Sequence, residues 1–242
     1  MVHGARDDSN IRVEHDVYRL DDMAEFAVRM GSIFNYQRHG SALLLDGFEQ
    51  GLNAWDKNTT GTNAEVEISN GEAYAGQVAC KITTGTGLTP YAGISKYLPP
   101  VDESRAGFQG CFSLDSDVVE VRFQLTYGKS PTRYYFYVSY NHVTGVLSYQ
   151  SAPGVWSPFA TPGVLYDFAG NWHNFKMVAD LATGKFARFY LDNIAFPMGG
   201  LLADTGAWAF GPFLYPLLRV WGNGGVSGVL YLDNVIVTYN EF

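Results

Sequence analysis

The stretch DVVEVRFQLTY, residues 117–127, decides the fold class: Val119, Val121, Phe123 and Leu125 take one face, and Glu120, Arg122, Gln124 and Thr126 take the other. Apolar and polar side chains alternate with a period of two, the pattern of a strand buried on one side only. Upstream lie SALLLDGFE, AEVEIS, QVACKITT, YAGISKYL and GFQGCFSL; downstream lie RYYFYVSYN, VLSYQ, WHNFKMVAD, KFARFYLD, LLRVW and VLYLDNVIVTY. All are rich in β-branched or aromatic residues, which suit a pleated surface. Turn residues separate them at the short spacing of an antiparallel sandwich, not at the spacing of helix-crossover units. NHVTG at 141–145 and ATGK at 182–185 each end a polar turn near a glycine, the signal of a hairpin. With no linker-like segment between strands, the expectation is one all-β, two-sheet domain over residues 39–242.

A chain of 242 residues can bury roughly 70–75% of its unfolded surface, enough for a core without disulfide or metal staples. Hydrophobic residues make up 47% and charged ones 17%, which excludes a disordered chain. The most apolar stretch, Ala207 to Trp221, is broken by Gly211, Pro212, Pro216 and Arg219, so no membrane span and no membrane partner are expected. Sixteen basic against 24 acidic residues leave a net charge of −8, which opposes a phosphate backbone and excludes nucleic acid as the expected partner. Cys80 and Cys111 cannot form a disulfide framework, and without a CxxC or Cys/His cluster they read as buried reduced thiols, a single bridge being the alternative.

The N-terminus departs from the strand pattern. Residues 1–16 are polar and charged with no burial period, as in an arm. Leu20, Met23, Ala27, Met30 and Phe34 then recur at steps of three and four, and Asp22 with Glu25 has the capping-box offset, so Met23 to Phe34 is expected to be a short amphipathic helix. Residues 1–38 therefore form an arm and helix whose apolar stripe needs a surface to cover. The simplest surface is an adjacent subunit in a homo-oligomer or particle lattice. The opening residues lack the apolar run of a signal peptide, so release without one, in a virion or other extracellular assembly, or a cytoplasmic location is expected.

Trp172-His173, Asp180, Gly184 and Tyr190-Leu191-Asp192-Asn193 resemble the W-H, D, G, Y-x-D signature of laminin-G-like and concanavalin A-like jelly rolls. Asp46-Gly47-Phe48-Glu49 with Gly51 and Trp55, then Ala75-Gly76 with Cys80-Lys81-Ile82, and finally Tyr231-Leu232-Asp233-Asn234-Val235 are similar to the entry, second and final strands of carbohydrate-binding modules with that sandwich. The resemblance covers about residues 41–242 and implies a fold more than an activity. It also implies a structural calcium near the first and last strands, where Asp46, Glu49 and Asp233 match in type the oxygen donors a hard cation takes. YLDN occurs at Tyr190 and at Tyr231; each Asp-Asn pair reads as ending or bending a strand rather than as a duplication. His173, with no second His or Cys near it, reads as a strand histidine of the signature.

Three functional classes remain. Asp115, Asp117 and Glu120 have the offsets of the carboxylate trio in laminarinase-like glucanases of this fold, where two carboxyls about 5–5.5 Å apart perform retaining hydrolysis. Asp115 is shorter than the Glu expected of the nucleophile, and Ser116 replaces an apolar residue, so a turn feeding an ordinary strand is the preferred reading. No GxSxG motif is present, and catalysis is not expected. Sugar binding needs exposed rings, and Trp156, Trp208, Tyr134, Tyr135 and Tyr137 supply candidates: RYYFYVSY is aromatic on both faces, so one set must leave the core. That surplus serves a glycan or a protein neighbour equally well. The reading is a non-enzymatic structural subunit, similar in architecture to a phage capsid decoration or other virion surface protein, with a carbohydrate-binding module or lectin-like protein as the alternative and the glucanase third.

Overall fold

The computed structural model describes residues 41–99, 101–168, 170–192 and 194–241. The N-terminal arm, the expected helix and the stripe Leu20, Met23, Ala27, Met30 and Phe34 lie outside the described residues. The described strands are β1 (Ser41–Asp46), β2 (Asp56–Thr62), β3 (Glu65–Ser69), β4 (Ala79–Thr83), β5 (Thr86–Ser95), β6 (Arg105–Leu114), β7 (Val118–Lys129) and β8 (Thr132–Asn141). They continue as β9 (Val146–Ala152), β10 (Val155–Ala160), β11 (His173–Asp180), β12 (Lys185–Leu191), β13 (Ile194–Pro197), β14 (Asp204–Ala207), β15 (Phe213–Gly222) and β16 (Val229–Tyr239).

Two antiparallel sheets result. The first runs β13-β12-β11-β6-β16-β4-β3, with β1 on the far end of β16; the second runs β10-β9-β8-β7-β15-β5-β2, with β14 on β8. Chain-distant strands β6 and β16, and β7 and β15, sit at the centres, as in a jelly roll. Each expected strand is found, and β2, β10, β13 and β14 are additions. Their sequences, such as DKNTTGT and DTGA, carry no apolar alternation because they lie at edges, where all their residues but Asp204 are half-exposed or exposed.

The alternation holds from Glu120 to Thr126 but slips at its start, where an irregular register turns Val118 into the interior and leaves the expected Val119 half-buried. Val121, Phe123 and Leu125 are fully buried between the sheets. Phe123 is the central ring of the interior, with Phe175 at 4.3 Å, Phe189 at 5.4 Å and Phe112 at 5.8 Å between centroids, all three from the opposite sheet. Gly184 closes the β11–β12 hairpin at φ 66°, and a Cβ there would meet the Tyr134 ring at 2.4 Å. Both cysteines are buried and free. Cys80 faces the core, while Cys111, between Gly110 and the core residue Phe112, turns away and donates to Asn174 Oδ1 at 2.9 Å. Opposite faces of one sheet preclude the bridge, and burial pushes both thiols' pKa up.

The signature residues are structural clamps. His173 bonds Asp192 through Nδ1 (2.9 Å) and the Tyr166 carbonyl through Nε2 (2.9 Å), while Asp192 accepts the Asn174 N–H, tying the start of β11 to the end of β12. Burial pulls the His173 pKa down, but the bonds to Asp192 and Tyr166 outweigh it and leave the pKa raised. Asp180 accepts the Thr183 N–H and caps the hairpin. In the two YLDN segments, Asp192 and Asn234 adopt left-handed φ of 51° and 48°, and β16 has an irregular register between Asp233 and Ile236. The chain turns at Asp192, just after β12, and at Asn234, within β16, as expected.

Candidate functional site

Because β7, β8 and β15 give their apolar residues to the interior, the intervening residues must line the outer face of the second sheet. Register places Arg122 opposite Ser139 on one side and Arg219 on the other, Glu120 opposite Asn141 and Trp221, and Thr126 opposite Tyr135 and Tyr215. Trp221 is in turn opposite Tyr91, and Trp156 opposite Gln150. From β10 to β5 this face crosses six strands, roughly 24 Å at the usual strand spacing.

The face is an aromatic and guanidinium surface. The Arg122 guanidinium lies between two indoles, 4.7 Å from the Trp156 ring and 3.8 Å from the Trp221 ring. Glu120 fixes it from below, accepting from Nε at 2.6 Å and from Nη2 at 2.9 Å. Trp221 also packs on Tyr91 at 5.4 Å, and Arg219 covers the other part of that tyrosine at 5.2 Å. Gly93 makes this possible: a Cβ there would lie 2.9 Å from the Cα and Cγ of Arg219 and 2.2 Å from the Leu218 carbonyl. Tyr135 and Tyr137 meet edge to face at 5.4 Å, with the Tyr137 hydroxyl 3.3 Å from Thr126 Oγ1. Burial raises the Tyr137 pKa, and the positive charges of Arg219 and Arg133 pull against it.

A cleft of about 350 Å³ opens beside these tyrosines, lined by Tyr135, Tyr137, Gln150, Asp204 and Gly206 among others; small-molecule sites span roughly 300–1,000 Å³. Asp204 accepts the Gln150 side-chain N–H at 2.8 Å, so the amide is held at the cleft edge. Arg133 lies over Tyr135 at 4.6 Å and Trp208 at 5.1 Å.

Four of the five expected ring candidates, Trp156, Trp208, Tyr135 and Tyr137, therefore fall on or beside this face. Tyr134 goes elsewhere: strand alternation turns it inward, where it packs against the core and Phe136. Trp208 packs on Phe210 and Phe213 at 5.0 and 4.8 Å and donates its indole N–H to the Gly211 carbonyl. Sequence reasoning missed Trp221, Tyr91, the three arginines, Gln150 and Asp204. Arg219 and Trp221 stand two apart in LLRVW, so a period-two reading places them together; only the pairing of β15 with β7 and β5 shows what they face.

The carboxylates of the glucanase reading do not converge. Asp115 caps a turn, with Oδ1 accepting the Asp117 N–H at 3.1 Å and Oδ2 the Val229 N–H at 2.9 Å. Asp117 stands beside Asn223 at 3.5 Å, and Glu120 is bound to Arg122 and Ser139 on the outer face of the second sheet.

Of the expected calcium residues, Asp46 is committed to the Phe48 N–H at 2.8 Å and the Trp55 indole at 2.7 Å. Glu49 and Asp233 reach the same loop: Glu49 Oε1 accepts from Gln77 and Val78, and Asp233 Oδ2 from Tyr74 and Ala75. Burial, with Glu49 nearby adding repulsion, raises the Asp233 carboxyl to about 6 despite three backbone donors. Among the described residues no group of three His, Cys, Asp or Glu is arranged to hold a metal ion; the pair Glu49 and Asp233 offers oxygen donors of the type a hard cation takes.

No protein-family model matches the chain, and no curated protein matches it. Solved structures do. A sialidase aligns with a TM-score of 0.51 at 14% identity over 83% of this chain, which spans only 19% of the sialidase. A carbohydrate esterase from Shiga toxin-encoding bacteriophage phi24B aligns at 0.50 and 16% identity, covering 83% of this chain and 99% of that one. Carbohydrate-binding modules of the β-sandwich superfamily align at 0.45 and 12% identity over 83% and 63% of the two chains. At these identities the likeness concerns the fold alone, a two-sheet antiparallel jelly-roll sandwich.

Proposed function

We propose that the domain is a non-catalytic glycan-binding jelly roll whose ligand lies across the outer face of the second sheet. The observation that carries this reading is the presence on one sheet face of two groups of half-buried rings, Trp156, Trp221 and Tyr91 around Arg122 and the pair Tyr135 and Tyr137, interleaved with fixed polar groups. Flat rings receive the apolar faces of pyranoses, and amide, carboxylate and guanidinium groups select hydroxyls by hydrogen bonds. The dispersal of Asp115, Asp117 and Glu120 supports the absence of hydrolysis. The test is glycan-array binding with Trp156→Ala and Trp221→Ala. Each loses a stacking contact of about 1 kcal/mol, roughly fivefold in affinity, with an unchanged fold. Binding that ignores both substitutions, or no binding to any glycan, removes the reading. Calcium held by Glu49 and Asp233 as a structural ion belongs to the same proposal.

A second reading, a subunit of a phage or other particle, is favoured by Val164, Tyr166 and Phe168, which are 60–74% exposed on one loop. Apolar side chains so exposed suit a contact between subunits. Native mass measurement of the full chain decides it: a monomer at all concentrations excludes a homo-oligomer.

A further inference from the structure

Resting on the glycan reading of the same face, we infer that the ligand is an acidic glycan, whose sugar carboxylates are taken separately by Arg133 and by Arg219. Three arginines line this face in a chain whose net charge is −8, and they are not equivalent. Arg122 is neutralised by Glu120 through two hydrogen bonds. Arg133 and Arg219 have no carboxylate within ion-pair distance and no hydrogen-bond acceptor among the described residues, and the Nε of each is buried without a partner. Both are instead held by ring faces: Arg133 by Tyr135 and Trp208, Arg219 by Tyr91.

Stacking fixes the plane of a guanidinium while leaving its N–H edges available, and those edges match a carboxylate in bidentate fashion. The buried Nε of each is closed to a ligand, so an arriving carboxylate meets the Nη edge of a half-buried guanidinium that no described carboxylate neutralises. The two arginines stand at separate places on the face: Arg219 is level with Arg122 and Ser139, and Arg133 lies six residues from Ser139 along β8, roughly 20 Å at the usual rise per residue. Asp204, the carboxylate in the adjoining cleft, is occupied by Gln150. A neutral sugar would leave the guanidinium charges uncompensated; a chain of uronic or similar acidic sugars places one carboxylate at Arg133, beside Tyr135, and another at Arg219, beside Tyr91.

The experiment uses the full chain with polygalacturonate, polyglucuronate, polymannuronate and oligosialic acid, each beside its carboxyl-reduced form, and with dextran sulfate. The expected result is binding to at least one acidic polymer at least tenfold tighter than to its reduced form, weakening as salt rises. Arg133→Gln and Arg219→Gln each reduce that preference at least tenfold, whereas Arg105→Gln, on the first sheet, leaves it intact. Equal binding of acidic and reduced forms overturns the inference while preserving the glycan reading, as does binding to dextran sulfate alone. Binding to none of the polymers, with no other glycan bound, overturns both. Should an arginine variant fail to fold, the comparison of acidic and reduced polymers on the unaltered protein still decides the matter.

Discussion

Replacing Glu241 by Gln tests the ion cluster on the first sheet. Glu241 is buried; its Oε1 lies 2.7 Å from Lys176 Nζ and accepts from Thr238 Oγ1 at 2.5 Å, and its Oε2 lies 3.7 Å from Arg188. Lys176 is equally withdrawn, its side chain 5% exposed, and burial outweighs Glu241 to hold its pKa below the ordinary value. The substitution keeps the shape but leaves a buried ammonium beside a second cation. Breaking a buried pair costs about 3–5 kcal/mol, which lowers the Tm of a domain this size by roughly 6–20 °C. The loss has a ceiling, because Lys176 can give up its proton at about 1.4 kcal/mol for each unit between pH and its ordinary pKa. In the variant the folded state then binds fewer protons than the unfolded one, so its stability rises with pH through the alkaline range. Lys176→Met is milder, since Glu241 retains Thr238 and Arg188. Thermal and urea melts at pH 7, 8 and 9.5 measure all three effects. A loss under about 1 kcal/mol at pH 7, a Lys176 variant as damaged as the Glu241 variant, or a loss that does not shrink at pH 9.5 would refute the reasoning.

Asp233 sets a second pH dependence: its folded pKa of about 6 stands above the ordinary 3.8, so its protonation favours the folded state and this stability is lost as pH rises through about 6. In EDTA the Tm of the unaltered protein relative to Asp233→Asn therefore falls between pH 4 and 7, and millimolar calcium restores it at pH 7; a flat difference contradicts the first claim, and calcium without effect contradicts the second. Phe123→Ala removes the ring that joins the two sheets and costs about 3–5 kcal/mol in a urea melt; a loss below about 1 kcal/mol would mean that the ring is not central. The unaltered protein releases no reducing sugar from β-glucans, and turnover abolished by Asp117→Asn and Glu120→Gln would reverse the non-catalytic reading.

Period-two alternation in residues 117–127 and its repetition downstream were sufficient to establish an all-β sandwich, because strand geometry assigns alternate side chains to opposite faces whatever lies across from them. The same rule showed that RYYFYVSY must expose aromatic residues, and Tyr135 and Tyr137 are the ones that emerge. It could not say which of Tyr134 and Tyr135 would leave the core, since register against β7 determines that. Edge strands such as β2 and β14 escaped because polar segments there gain hydrogen bonds without burying an apolar stripe. Catalytic offsets in Asp115, Asp117 and Glu120 were legible and misleading: the turn before β7 directs Asp115 to the Val229 backbone, away from Glu120. Trp156, Arg122 and Trp221 come from three strands far apart in the chain, and no local pattern links them. The sequence by itself determined which residues could be buried or exposed, a property of each strand alone; the tertiary structure decided which exposed residues share a surface, because that depends on the order in which distant strands pair.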